Sequence, residues 1–386
     1  MKPSIIHSIV VCLAAFTLPF MVACSSQEES LPDNVTEAAL YLNIATIGQT
    51  RASTAELPDN EKMKSVRVIV LHADGTVEHN RHFSLESAQA QKYILLKVTP
   101  NEKKRIYLFA NEESVSSVEG VTVEGENKTL TAFLNSYTEE KPGFENEVNE
   151  LYFAPNYTKP IPMSSMYEID FKEGREDYKF YLVRVATKFT VNFKNWRGEE
   201  VTVENFSIES HADRNFLMAD VNSWPLNPET NQPYPTWIDW LKAVSDASNV
   251  DSDAATNRFG WLTDYELPEE GSTSTYNHGN VTVGRPTVDI DNPDNSKPGV
   301  ASVAPVFYLP ESKNLKAGEP TDGEQEYTLR INIAGRDEPF VCKLDKLKAL
   351  FRNTHVVVNV TMYNSNEIVV DVIPYSEVKL EPEFGL

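Results

Sequence analysis

Cysteine is scarce in this chain. Its 386 residues include three, and two of these, Cys12 and Cys24, lie near the start. Three cysteines cannot build the disulfide framework of a small secreted domain. Cys342 stands alone in the remaining sequence, where we expect it to be a small buried apolar side chain. Hydrophobic residues make up 41% of the chain, so the fold is expected to rest on an apolar core.

Positive charge is also in short supply. Lys and Arg number 35 against 57 Asp and Glu, which gives a formal net charge of −22. A nucleic-acid partner is not expected, because a phosphate backbone needs Lys and Arg to replace its counterions. Attachment to an anionic lipid surface by charge alone is excluded for the same reason.

Motifs of catalysis are missing. The sequence has no His-Glu-x-x-His, no Gly-x-Ser-x-Gly, no P-loop, and no Gly-x-Gly-x-x-Gly after a strand. His79 and His82 fall on a predicted strand, where their spacing puts the rings on opposite faces, so we expect no metal site there. The acidic loops 251–253 and 289–294 favour solvated surface, with calcium binding left open. We therefore expect no enzyme, no catalytic residue, no cofactor and no metal.

The start of the chain has the character of a secretory signal. Lys2 precedes the mostly apolar residues 5–22, which are interrupted by polar residues and Pro19. This run is too short and too broken for a good membrane span. We predict that residues 1–23 are a signal peptide.

The signal ends in Met21-Val22-Ala23-Cys24, which resembles the lipobox of bacterial lipoproteins. In that motif the cysteine is acylated and becomes the first residue, and acyl chains anchor at about 0.8 kcal/mol per buried CH₂. Cys24 is thus the predicted lipidation site; an ordinary signal with an incidental cysteine is the alternative. The polar residues 25–34 are predicted to be a flexible tether. They resemble the acidic export signal of surface lipoproteins in Bacteroidota-type bacteria, and a plain linker is the alternative.

Most of the remaining sequence has the period of β-strands. Leu40, Leu42 and Ile44 alternate with less apolar residues, as expected for a half-buried strand. The Asp74-Gly75 turn predicts a hairpin between 66–71 and 77–83. Further strands are predicted at 93–98, 106–109, 178–193 with a bend near Ala186, 201–210, 303–309, 327–333, 340–343, 355–362 and 368–373. Short helices are predicted at 130–137, around Trp237 and Trp240, and at 344–351.

This pattern predicts an all-β fold with two β-sandwich-like (transthyretin-like) domains and a few short helices. We place the domains at residues 52–185 and 186–386, the second with a loop-rich insertion at 220–300. Residues 246–298 within it are expected to be a long surface excursion. Trp224, Trp237, Trp240 and Trp261 lie in this insertion. Their spacing favours core packing, and stacking on sugar rings or a protein partner is the alternative.

Several segments, in order along the chain, resemble the fimbrillin family, the pilin subunits of type V pili in Bacteroidales. In the first half they are Ser65-Val66-Arg67-Val68-Ile69-Val70-Leu71 before the Asp74-Gly75 turn, Tyr107-Leu108-Phe109-Ala110-Asn111, Ile161-Pro162-Met163-Ser164, and Leu182-Val183-Arg184-Val185-Ala186-Thr187-Lys188. In the second half they are Val306-Phe307-Tyr308-Leu309-Pro310-Glu311, Arg352-Asn353-Thr354-His355, and the closing Val372-Ile373-Pro374-Tyr375 to Glu383-Phe384-Gly385. The resemblance covers residues 36–386 apart from 220–300.

The resemblance implies a mechanism of assembly. Family members cross the envelope as lipoproteins, a trypsin-like protease cuts after a basic residue, and the first strand is released. A C-terminal strand of a neighbouring subunit then fills the groove. Here the implied cut lies between Arg51 and Ala52, which would make residues 24–51 a propeptide. The implied displaced strand carries Leu40, Leu42 and Ile44, and the implied donor strand carries Val378, Leu380 and Phe384.

The residues fit this scheme independently of the resemblance. Arg51 is the first basic residue after Lys2, in a small polar loop of the kind that proteases cut. Removal of a strand exposes unpaired backbone, which is a template for strand addition. Two ordinary strands of a stable monomer are the alternative.

Three functions remain open from the sequence. The first is a stalk or tip subunit of a surface fimbria that supports adhesion. The second is a fimbrial anchor that keeps its lipid and is not cut. The third is a surface glycan-binding lipoprotein that uses the Trp-bearing insertion. The expected partners are other fimbrial subunits, the trypsin-like protease, the outer membrane through the lipid, and a receptor on a host or bacterial surface.

Overall fold

The computed structural model describes residues 38–46, 57–121, 129–219, 273–303, 306–313, 327–344, 347, 349–364 and 367–373. All of them belong to one compact unit. The fold is mainly β, with several sheets and two short α-helices among the described residues, which confirms the predicted all-β class. No described helix has the length and apolar character needed to cross a membrane. Cys24, Arg51, Ala52, the donor segment and the tryptophans of the insertion lie outside the described residues.

In the first part of the chain, the described residues form eight strands and two α-helices. In chain order they are β1 (Ala38–Thr46), β2 (Met63–Leu71), β3 (Val77–Gln89), β4 (Gln91–Val98), β5 (Glu102–Ala110), α1 (Leu130–Asn135), α2 (Phe144–Val148), β6 (Tyr152–Phe153), β7 (Met163–Phe171) and β8 (Arg175–Arg184).

Seven of these strands form one sheet in the order β3-β2-β5-β7-β8-β1-β4. β7 and β8 are paired at two positions, Met163 with Arg184 and Ser164 with Val183. A single apolar core contains side chains from both sides of this junction. It includes Leu40, Leu42, Ile44, Ile94, Leu96, Phe180, Val66, Val68, Ile106 and Leu108. β8, β1 and β4 therefore pack face to face against β2, β5 and β7, in the manner of a sandwich.

The helices cover the other face of β2 and β5. Ile69 and Phe109 share a second core with Phe133 of α1 and Phe144 of α2. α1 begins after Thr129, whose Oγ1 accepts the Ala132 N–H at 3.1 Å and caps the helix. The helix predicted at 130–137 is confirmed.

The described residues of the rest of the chain form thirteen strands. They are β9 (Thr187–Asn195), β10 (Val201–Ala212), β11 (Asn215–Phe216), β12 (Thr273–His278), β13 (Val281–Val283), β14 (Gly299–Ser302), β15 (Phe307–Leu309), β16 (Ser312–Lys313), β17 (Thr328–Ile333), β18 (Phe340–Lys343), β19 (Ala349–Leu350), β20 (His355–Asn364) and β21 (Glu367–Ile373).

These strands build two five-stranded sheets around one core. The first has the order β12-β10-β17-β18 with β13 also on β10, and the second has the order β14-β9-β20-β21 with β15 also on β9. The core between them contains Phe189, Val191, Phe193, Val203, Phe206, Leu329, Ile331, Val356, Val358 and Val360. Cys342 is half-buried and packs against it. Two small ladders, β6 with β11 and β16 with β19, complete the pairing.

Two predicted elements differ from the structure. The segment 344–351 was expected to be a helix, but its described residues include the strand β19, and Leu347 instead donates its N–H to the Leu344 carbonyl at 2.8 Å. The predicted excursion over 246–298 is wrong for its final part, because β12 and β13 pair with β10. The Asp74-Gly75 hairpin and the bend near Ala186 are confirmed. The proposed division into two domains stays a prediction.

Candidate functional site: the groove of the first strand

The first strand is paired along both of its edges. β1 runs antiparallel to β4, from the pair Ala38–Val98 to the pair Ala45–Gln91, and parallel to β8 over a similar length. The Ala39 N–H donates to the Gly174 carbonyl at 2.8 Å, and the Thr46 N–H donates to the Ala90 carbonyl at 2.9 Å. β1 is therefore an interior strand, and its removal would leave two unpaired backbone edges.

The inward face of β1 is completely buried. Leu40, Leu42 and Ile44 each have 0% exposure, and they pack in the core between the two halves of the sheet. Burying three such side chains contributes on the order of 5–8 kcal/mol before ordering costs. The predicted alternation thus occurs in the structure, and the groove has an apolar floor.

The half-buried side chains on the outward face of β1 make aromatic and polar contacts. The Tyr41 ring lies 5.9 Å from the Tyr93 ring, and the Arg175 guanidinium lies 4.9 Å from the centre of the Tyr41 ring. Asn43 Oδ1 accepts a hydrogen bond from Gln91 Nε2 at 2.6 Å. Exposed cation–π contacts are worth about 0.5–1 kcal/mol each. The inward side chains and the backbone ladders therefore hold most of the strand.

The next described segment after β1 contains a turn that is held by several polar contacts. Glu61 lies in a 3₁₀ turn, Asp59–Glu61, and is fully buried. Its Oε1 accepts from the Tyr308 hydroxyl at 2.6 Å and lies 2.9 Å from Lys188 Nζ. Arg184 Nη1 lies 3.7 Å from Oε2, as an ion pair without a hydrogen bond. Thr46 and Glu61 are thus fixed on either side of the segment that contains Arg51.

Electrostatics keeps Glu61 ionised. Burial acts to raise the pKa of its carboxyl group, but the opposing charges of Arg184 and Lys188 and the hydrogen bond from Tyr308 lower that pKa below its usual value. Burial and the negative charge of Glu61 raise the pKa of Tyr308, so its hydroxyl remains a donor. The cluster is therefore an ionic tie between the turn after β1 and strands β9 and β15.

A second buried ion pair lies beside the crossing from β8 to β9. Arg352 and Glu311 are 1% and 0% exposed, and Arg352 Nη2 lies 2.7 Å from Glu311 Oε2. The guanidinium also donates to the carbonyls of Phe216 and Leu217. The Asn353 N–H donates to the Ala186 carbonyl at 2.7 Å. Motifs that are far apart in the sequence therefore meet at this crossing.

Sequence reasoning did not identify these two clusters. Tyr308 and Glu61 are 247 residues apart, and Arg352 and Glu311 are 41 residues apart. Glu311 and Arg352 lie in two of the segments that carry the resemblance, which is the signal in the sequence that pointed to them.

The end of β21 marks where the proposed donor segment begins. β21 is the last strand in its sheet and pairs with β20 among the described strands. Its described residues end at Ile373, and the next residue in the sequence is Pro374, which cannot donate a hydrogen bond to a ladder. Val378, Leu380 and Phe384 lie beyond it, outside the described residues.

Two described groups of side chains have the composition of metal ligands. In the first, ligand atoms of His72, Glu78 and Glu102 lie within 4.8 Å of one another, but the ammonium of Lys104 binds both carboxylates. The Lys104 ammonium therefore already pairs with the two carboxylates that a metal ion would need.

The second group surrounds His82. It contains Glu112 and Glu113, but both Glu112 oxygens accept hydrogen bonds from Arg67 at 2.7 Å. His82 Nε2 lies 2.8 Å from Glu113, whereas His79 contacts the Lys97 carbonyl. The two rings predicted on opposite faces therefore have separate partners.

The acidic loop at 289–294 is organised internally. The Asp289 carboxylate accepts the N–H groups of Asp291 and Asn292 at 3.1 and 2.9 Å, and these hydrogen bonds lower its pKa. Asp289 thus shapes a turn, as Asp side chains commonly do. Calcium binding there stays untested.

No protein-family model and no curated protein matches the chain. Among solved structures, the tip fimbrial protein Mfa3 from Porphyromonas gingivalis matches with a TM-score of 0.47 and 10% identity, over 88% of this chain and 100% of that one. A fimbrial assembly protein from Parabacteroides distasonis matches with a TM-score of 0.42 and 9% identity, over 87% and 95%. A fimbrilin from Porphyromonas gingivalis W83 matches with a TM-score of 0.44 and 11% identity, over 88% and 98%. These structural neighbours of the chain are fimbrial proteins of Porphyromonas and Parabacteroides.

Proposed function

We propose that the chain is a structural subunit, stalk or tip, of a surface fimbria that supports adhesion. Cleavage after Arg51 releases β1, and the C-terminal strand of a neighbouring subunit takes its place. The observation that carries this proposal is the position of β1: it is paired on both edges and fully buried on one face. A cut in the segment 47–56 would leave it held by non-covalent contacts alone.

The two ladders of β1 define what can replace it. The N–H groups at its ends indicate that inward-facing residues bond to β4, as Thr46 does, and outward-facing residues bond to β8, as Ala39 does. A replacement that runs in the same direction must be apolar at every second position. Val378, Leu380 and Phe384 have this spacing.

Pro382 falls in the same alternation as these three residues. If the donor strand takes the place of β1, Pro382 has no N–H to donate to β4, so one hydrogen bond to β4 is lost. No hydrogen bond to β8 is lost, because inward-facing residues bond to β4. The parallel ladder to β8 would then remain complete.

Energetics requires the groove to be formed before the donor arrives. Three buried side chains contribute on the order of 5–8 kcal/mol, and each backbone hydrogen bond adds about 1 kcal/mol. Ordering the eleven residues of 376–386 costs about 1–2 kcal/mol each. The net gain is small unless the receiving strands are already in place.

The predicted signal peptide and lipidation site would deliver the protein to the cell surface. Acylation of Cys24 would hold the precursor at the outer membrane, where a trypsin-like protease would cut it before assembly with other fimbrial subunits. A lipid-retaining anchor is the alternative, in which the cut does not occur and β1 stays in its groove. A receptor on a host or bacterial surface would be the final partner.

N-terminal sequencing of the protein sheared from the cell surface tests the proposal. We expect mature chains to begin at Ala52. The matched variant Arg51→Ala should yield chains that begin at lipidated Cys24. If the parent protein also begins only at Cys24, the anchor alternative replaces the polymer-subunit proposal.

A further inference from the structure

We infer that Glu78 and His79 of β3 are positioning residues that hold β4 in place when β1 is absent, so that the emptied groove keeps its shape. This inference rests on the proposed function. Among the described strands, β4 pairs with β1 alone. Loss of β1 therefore removes the whole backbone ladder of β4, although β4 is one of the two walls that an incoming strand must meet.

β3 reaches the far end of β4 by two side chains. The Glu78 carboxylate accepts the N–H of Thr99, and His79 Nε2 contacts the Lys97 carbonyl. Because a carbonyl can only accept, the His79 ring must carry its proton on Nε2. β3 and β4 are the two end strands of the same seven-stranded sheet. The sheet is thus closed at this corner by contacts in which β1 takes no part.

Glu78 is itself held by a buried cation. Lys104 on β5 is fully buried, and its Nζ lies 2.5 Å from Glu78 Oε2. Lys104 also pairs with Glu102, whose Oε1 lies 2.7 Å from His72 Nδ1. β5 pairs with β2 and β7, so the support is anchored in strands that removal of β1 does not touch. The fully buried Lys104 therefore has a role in holding Glu78, which the proposed strand replacement does not otherwise require.

The other end of β4 is held by its covalent connection to β3. Only Ala90 separates Gln89 of β3 from Gln91 of β4. Between the two ends, Ile94, Leu96 and Val98 are buried in the core, but apolar contacts are non-directional and do not fix the backbone edge. Covalent continuity at 89–91 and polar contacts at 97–99 together keep that edge aligned for hydrogen bonding.

Limited proteolysis of β4 with trypsin, which cleaves after Lys92 and Lys97, tests the inference, because a strand must detach before it is cut. Every protein in the test carries Leu380→Asp, so that the C-terminal segment of one copy does not refill the groove of another. β1 is cut from the folded full-length chain at a specific protease site introduced at residues 48–53 and removed in sub-denaturing urea, so the test does not depend on natural cleavage at Arg51. The test variant combines His79→Phe with Thr99→Pro, which removes both contacts and leaves the Glu78–Lys104 pair intact. His79→Phe alone is the milder variant, and Glu86→Leu, at an exposed position of the same strand, is the control.

Before the cut, all four proteins should resist cleavage after Lys92 and Lys97 equally, because β1 holds β4 in the sheet. After β1 is removed, the parent and control should stay resistant, and the double variant should be cleaved faster by about tenfold or more, since β4 detaches more often without its two polar contacts. Equal cleavage rates in parent and double variant, or complete loss of resistance in the parent, would overturn the inference.

A second arm separates this inference from the proposed function. A synthetic peptide of residues 376–386 is added to each protein after β1 removal, and its affinity is measured. We expect tight binding to the parent and binding about tenfold weaker to the double variant, because the misaligned β4 edge loses hydrogen bonds. If β4 stays resistant to cleavage in the parent but the peptide does not bind, the proposed function fails and the inference about β4 stands.

Discussion

Leu42 of the first strand lies opposite Ile94 of β4, and both side chains are buried in the core between the two halves of the seven-stranded sheet. The uncut chain therefore uses β1 as an ordinary core strand. In the proposed fibre the same space is filled by a neighbour's strand. The core is therefore completed by β1 in the precursor and by residues of another subunit in the fibre.

Leu42→Ala should destabilise the uncut protein by about 2–5 kcal/mol, because it removes a fully buried side chain and leaves a cavity. Urea unfolding of the Arg51→Ala form measures this loss. Asn43→Ala on the outward face is the matched control and should cost about 1 kcal/mol or less. Fibres assembled after cleavage should be unaffected by Leu42→Ala, since residue 42 is no longer present. A weaker fibre would contradict the release of β1.

Glu61→Gln should lower stability at neutral pH by on the order of 3 kcal/mol, because Arg184 and Lys188 lose a buried anionic partner. The folded state lowers the pKa of Glu61 from its ordinary value of 4.5. Its stabilisation is therefore complete above pH 4.5 and is lost as the pH falls through the lower pKa of the folded state. Chemical unfolding from pH 3 to pH 7 should show the parent and variant converging at the acid end. A constant difference across this range would contradict the assignment.

Arg352→Met should destabilise the protein by about 3–5 kcal/mol, because Glu311 is left charged and buried without its partner. Adding Glu311→Leu should restore much of the loss, since an apolar pair can replace a buried ion pair at little cost. A double-mutant cycle in thermal or urea unfolding measures the coupling. If the double variant is no more stable than Arg352→Met, the hydrogen bonds to the carbonyls of residues 216–218, and not the ion pair, carry the effect.

Cys24→Ala should abolish lipidation and delivery to the cell surface, because the thiol that carries the lipid is removed. Metabolic labelling with a palmitate analogue, followed by surface proteolysis of whole cells, measures both outcomes. Ser25→Ala next to it is the matched control and should be labelled normally. Label retained in Cys24→Ala would contradict the lipoprotein prediction.

Period-two patterns predicted the strands that carry their own apolar alternation. β1, the β2–β3 hairpin and the pair β8–β9 are found where expected, because alternation and a glycine turn at Gly75 are local signals. β12 was not predicted, since its sequence from Thr273 to His278 has little apolar content and is stabilised by pairing with β10. The helix expected at 344–351 had helical spacing, but a turn buries Leu344 and Leu347 equally well.

The site was predictable only in part. The alternation of Leu40, Leu42 and Ile44 identified a strand, but not that β8 would run parallel to it and β4 antiparallel. Which strands pair, and which side chains then meet, is set by the tertiary fold and leaves no local pattern. The ties around Glu61 and the corner at Glu78 and His79 were missed for this reason.

A mixing experiment tests the central claim most directly. One variant is trimmed after Tyr375 and treated with trypsin, so that its β1 is held by non-covalent contacts alone and it has no donor strand. The other is Arg51→Ala, which has a donor strand and a filled groove. The account predicts that each remains a monomer alone, and that mixing them after protease inhibition gives a heterodimer resistant to SDS without boiling, with nothing larger. No heterodimer, or a ladder of oligomers from either variant alone, would contradict replacement of β1 by the C-terminal strand.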